Sequence, residues 1–130
     1  MKQVFLKFWP AAAWFALIFI LTSIPSPQIP VINVRHLDKL MHFFIYLPFG
    51  FFLTRALGTG GLKRLLLVAA VCLAASACDE LHQMLVPGRQ ADVFDFSADM
   101  AGAALGMAVY WGIQKLRRGR GRAAPGPDLT

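Results

Sequence analysis

Four apolar stretches run through this chain at about residues 8–24, 37–57, 62–84 and 93–115, each of the length a helix needs to cross a bilayer. A spanning segment must satisfy its own backbone hydrogen bonds, so segments of this length are expected to be helices. The fold class that follows is all-α. It is an integral membrane four-helix bundle over residues 1–116, trailed by a basic, glycine- and proline-containing segment at 117–130 that is expected to be disordered and cytoplasmic. Composition agrees: 57% of the residues are apolar and only 15% charged, against about 45–50% apolar in a soluble domain.

A net charge of +6 invites a nucleic-acid reading. The cations lie at the flanks of the apolar stretches and in the tail, with no aromatic-interleaved basic face, so nucleic acid is excluded as a partner. Their distribution orients the bundle instead. With four spans, one side holds Lys2, Lys7, Arg55, Lys63, Arg64, Lys115, Arg117, Arg118, Arg120 and Arg122, and the other only Arg35, Lys39 and Arg89. The excess of positive charge places both termini in the cytoplasm. The first stretch has the basic start of a signal peptide, but Ser23-Ile-Pro-Ser-Pro27 lacks a small-residue cleavage site, so an uncleaved first helix is expected.

The acids are distributed differently. Five of the seven, Asp79, Glu80, Asp92, Asp95 and Asp99, fall between Cys78 and Gly102. Carboxylates at the edge of a bilayer are costly unless paired or solvated in a cavity, so they mark a functional site. Helical spacing groups them with other polar residues. Asp38, His42 and Tyr46 lie within about 80° on the second segment; Cys72, Ser76, Glu80 and Gln83 do so on the third. On the fourth, Asp95, Asp99, Gly102 and Gly106 lie within about 60°. Gly102 and Gly106 also form a small-xxx-small pair that lets helices approach closely, so these carboxylates are expected where another helix packs. Asp79, about 100° from Glu80, is expected to face the outer headgroups, and His82 to be interfacial.

Several chemistries suit this set. His42 and Glu80 are candidates for an acid/base pair, with Asp38, Lys39, Tyr46, Gln83, Arg89, Asp92, Asp95 and Asp99 as binding residues. His42 also reads as a structural hydrogen-bonding residue, and Tyr46 as packing. Arg89, behind Pro87-Gly88, either forks onto a phosphate or carboxylate of a ligand or pairs with Asp92 or Asp95. No cofactor is predicted. A divalent metal is compatible with the His and carboxylate donors, although the H-E-x-x-H pattern that would select zinc is absent. Cys72 and Cys78, six positions apart, are too distant along a helix to form a disulfide and read as packing residues.

Asp38-Lys39-x-x-His42-x-x-x-Tyr46, then Asp79-Glu80-x-x-Gln83, Pro87-Gly88-Arg89, Asp92-x-x-Asp95 and Gly102, resembles the VanZ-like family of small bacterial membrane proteins, over about residues 36–106. The resemblance implies a multi-pass protein of the bacterial cytoplasmic membrane, in a family named after a teicoplanin-resistance protein and without a settled biochemical activity. Where the family pattern leads one to expect Asn on the fourth helix, this chain has Asp99, an added acid in the site. Two function classes remain: a binding role at the cell envelope, and an intramembrane enzyme acting on a lipid-linked or cell-wall precursor. Membrane lipids are expected partners in either case, and oligomer formation stays open. A proton-coupled carrier is disfavoured, because four spans make a small pathway.

Overall fold

The computed structural model describes residues 2–25 and 36–122. They form four helices and, among the described residues, no strand: α1 (Lys2–Thr22), α2 (Leu37–Leu57), α3 (Gly61–Gln83) and α4 (Val93–Arg122). The Pro-rich connection at 26–35 and the stretch 123–130 lie outside the described residues. α4 continues to Arg122, so the first part of the segment expected to be disordered is helical.

Local chemistry sets the helix ends. The Ser23 hydroxyl donates back to the Phe19 carbonyl, and the Ser23 N–H bonds the same carbonyl at 3.1 Å, closing α1 before Pro25. α2 ends at Gly58, whose φ of 80° is the left-handed conformation that glycine accepts without a Cβ clash, and whose N–H bonds the Thr54 carbonyl at 2.7 Å. The Asp92 carboxylate accepts from the Phe94 N–H at 2.8 Å, and the Asp92 carbonyl accepts from the Phe96 N–H at 3.0 Å, which makes Asp92 the N-cap of α4.

α2 packs most extensively on α4, and the reason is the absence of side chains. A Cβ at Gly102 would overlap the Phe43 carbonyl, one at Gly106 the Leu47 carbonyl, and one at Gly50 the Ala103 backbone. Glycine on both helices therefore lets the two backbones touch. On the other side of α2, α1 is fastened by Trp14, whose indole N–H donates to the Ile45 carbonyl at 2.7 Å, and by Phe15 against Phe49 at 5.4 Å between ring centres.

Carboxylates lie inside the bundle beside an apolar core that includes Ile18, Phe49, Leu53 and Val68, while large apolar side chains cover much of its outside. Asp79 and Asp99 are fully buried, while Leu66 and Leu73 on α3 are more than half exposed. Apolar surface on this scale faces a membrane. α1, from Gln3, α2 and α3 are long and apolar enough to cross one. Among the described residues α4 does not meet that standard, since it carries acids in its first turns and cations in its last.

Candidate functional site

The C-terminal ends of α1 and α3 and the N-terminal ends of α2 and α4 come together at one end of the bundle, and the polar residues of all four helices meet there. On α2, Lys39, His42 and Tyr46 descend from the rim, Tyr46 lying about 10 Å deeper than Lys39 along the axis.

At the rim, the Lys39 ammonium donates to Asp38 (2.8 Å), Asp92 (2.9 Å) and Asp95 (2.9 Å), tying α2 to the start of α4. The hydrogen bond from Lys39, reinforced by the Phe94 N–H, holds the Asp92 carboxyl below its ordinary range. A depressed carboxyl stabilises the fold above its unfolded value of about 4, and that contribution is lost as pH falls through its folded value. Replacing Lys39 with Met should therefore weaken this acid-side pH dependence, the Phe94 N–H bond remaining. The gap between unfolding midpoints in detergent at neutral pH and near pH 3 would narrow, and an unchanged pH profile would contradict the assignment.

One turn below, the centre begins. His42 Nδ1 lies 2.9 Å from Asp99 Oδ1, and the other carboxylate oxygen of Asp99 accepts from the Ser76 hydroxyl at 2.7 Å. Both oxygens of a fully buried carboxylate are thus engaged, one from α2 and one from α3. His42 Nε2 stands 4.0 Å from Asp95 Oδ2. Glu80 accepts the Asp92 backbone N–H at 2.8 Å and a longer contact from the Gln83 amide at 3.4 Å. Donor atoms of His42, Glu80 and Asp99 all lie within 4.8 Å of one another. With Nδ1–H given to Asp99, the Nε2 lone pair of neutral His42 is available to a proton.

Deeper still, Asp79 accepts from the Thr22 hydroxyl at 2.6 Å and from Gln83 at 3.4 Å. Tyr46 is fully buried, and its hydroxyl has no hydrogen-bond partner among the described residues.

Residues 3–115 match the family model VanZ/LLP1. The chain belongs to the VanZ/LLP1 family. No curated protein and no solved structure gives a significant match.

Most candidate residues of this VanZ/LLP1 chain meet in the cluster, and two expectations are corrected. Asp79 does not face headgroups. It turns inward because Thr22, at the end of α1, supplies a donor there. Arg89 pairs with neither Asp92 nor Asp95: its Nε donates to the Ile24 carbonyl at 3.3 Å, while Lys39 takes both acids. His82 is half-buried, stacked on Phe19 with ring centres 3.9 Å apart, and 2.8 Å from the Ser23 hydroxyl. Thr22 and Ser23 were missed as partners. The legible signals were the Asp79 to Gln83 spacing, one helical turn, and hydroxyl residues closing an apolar run. Cys72 is buried and Cys78 exposed, both free. An apolar cavity of about 460 Å³ between α2, α3 and α4, lined by Leu62, Leu65, Met107 and Trp111 among others, shares no residue with the polar cluster.

Proposed function

We propose that this VanZ/LLP1 protein is a multi-pass protein of the bacterial cytoplasmic membrane, both termini cytoplasmic, whose His42/Glu80/Asp99 cluster opens towards the outer leaflet and binds a cell-envelope component. The observation that carries the reading is the convergence of these residues from α2, α3 and α4, with His42 at 5% exposure, Glu80 at 6% and Asp99 at 0%. Grouping costly ionisable residues at one end of a bundle is otherwise unfavourable in a membrane. The asymmetry of Lys and Arg along the chain supports the orientation. The cluster's surplus of carboxylates favours a ligand that presents hydrogen-bond donors or positive charge.

A second reading is favoured by one contact. Asp99 accepting from His42 Nδ1 is the arrangement that prepares an imidazole as a general base through Nε2, with Glu80 as the proton donor. In this reading the protein is an intramembrane enzyme on a lipid-linked or cell-wall precursor.

Expression in a teicoplanin-susceptible bacterium tests the first reading. Wild type is expected to shift susceptibility, with the shift lost in His42→Ala and Glu80→Gln at equal membrane levels. A shift indifferent to both changes would remove the site from the function. Precursor that still binds Glu80→Gln but is no longer converted would identify the enzyme. Topology is checked separately in a Cys72→Ala, Cys78→Ala background, where a cysteine at position 89 should label only from outside.

A further inference from the structure

Charge in the cluster is out of balance. Among the described residues its ion pairs use only Lys39 and His42 as cations, and Lys39 is committed to Asp38, Asp92 and Asp95 at the rim. Asp79, Glu80 and Asp99 are left with His42 alone. Buried carboxylates without a compensating charge are strongly unfavourable, so each must be protonated or a further cation must join them.

Two independent observations favour the cation. His42, Glu80 and Asp99 offer one nitrogen and two oxygens within 4.8 Å of one another, from three different helices. Ligands around one ion stand about 3–3.5 Å apart, so these donors would close on one another when an ion binds. The 2.9 Å between His42 Nδ1 and Asp99 Oδ1 is close to that separation, so an ion can take the place of the proton the two share. The second observation is the Tyr46 hydroxyl, fully buried one helical turn from His42 on the same face of α2 and without a partner among the described residues. A buried hydroxyl of this kind requires a hydrogen-bond partner, and a water or hydroxide on the ion would supply one.

We propose that His42, Glu80 and Asp99 form a binding site for a divalent first-row transition ion, with Tyr46 hydrogen-bonded to a water on that ion. One imidazole with two carboxylates is a donor set suited to Mn²⁺, Fe²⁺ or Zn²⁺ rather than Ca²⁺ or Mg²⁺. A divalent charge at this point offsets the two carboxylates that hold it. The site deepens the envelope-binding reading, on which it rests: the ion is itself the positive charge that the surplus of carboxylates favours, and through it a hydroxyl-bearing or anionic envelope component would be engaged.

The test uses the full chain in lipid nanodiscs, titrated with Mn²⁺ and followed by the paramagnetic resonance of the free ion, with Zn²⁺ as competitor. One ion per chain is expected, displaced by Zn²⁺. Glu80→Gln and His42→Ala should weaken binding about tenfold or more. Glu80→Asp, which keeps the carboxylate, should recover part of the loss and guards against a merely misfolded variant. Cys78→Ala, which removes an exposed thiol able to take zinc adventitiously, should change nothing. No stoichiometric Mn²⁺, or binding that survives Glu80→Gln, would overturn the site. If Glu80→Gln abolishes the susceptibility shift while wild type holds no ion, the metal site falls and the envelope reading stands. Ion binding without any susceptibility effect has the opposite meaning.

Discussion

Gly106→Ala is expected to destabilise the bundle by about 3 kcal/mol, the upper end for overpacking, because the added methyl meets backbone rather than side chain. A Cβ there overlaps the Leu47 carbonyl and approaches the Phe51 nitrogen at 2.8 Å, and neither can rotate away. The helices must separate, which would carry Asp99 on α4 away from His42 on α2. Gly102→Ala should behave similarly, since its Cβ meets the Phe43 carbonyl. Gly112, one turn and a half beyond Gly106, has open space around it, and Gly112→Ala should be neutral or slightly stabilising through helix propensity. Unfolding in mixed micelles by increasing sodium dodecyl sulfate would measure all three. Equal effects at positions 106 and 112 would show that α2 and α4 do not pack through this face.

His42→Ala is the second large effect, a loss of about 3–5 kcal/mol. Its origin is the partner left behind: Asp99, fully buried, would keep only the Ser76 hydroxyl. The double change His42→Leu with Asp99→Leu removes both charges and fills the space, so it should recover much of the loss. A double variant less stable than either single change would mean that the two residues are held by other contacts. In the opposite direction, a double variant as stable as the wild type but without effect in cells would show that this pair is retained for function rather than for the fold.

Much of the architecture was legible because it depends on local periodicity. The apolar runs marked α2 and α3 to within a residue, since a helix in lipid needs a fixed length and cannot leave backbone groups unsatisfied. The glycines of α4 and the polar stripes on α2 and α3 were visible for the same reason: residues three or four apart share a face. The resemblance to the VanZ-like family rested on those same stripes, and the family match over residues 3–115 extends it to nearly the whole chain.

What periodicity lacks is the relation between helices. Asp79 and Glu80 are adjacent in sequence and point about 100° apart, so one face had to be chosen as the functional one. Both turned out to be interior, because α1 closes over Asp79 with Thr22 while α4 approaches Glu80 through the Asp92 N–H. Nothing in the spacing along α3 records that two different helices cover its two faces. Of the two readings of Arg89, pairing with Asp92 or Asp95 is not the arrangement found, because Lys39, distant in the chain, bonds both acids.

The sequence by itself determined four helices, an apolar exterior and a polar end, since hydrophobic length, helical periodicity and the cost of burying charge are properties of each segment alone. Only the tertiary structure decided that His42, Glu80 and Asp99 share one point, that Asp79 belongs to the interior and that the Tyr46 hydroxyl has no partner among the described residues. Those outcomes follow from how closely the backbones of α2 and α4 approach at Gly50, Gly102 and Gly106, a distance set by contact between segments far apart in the chain.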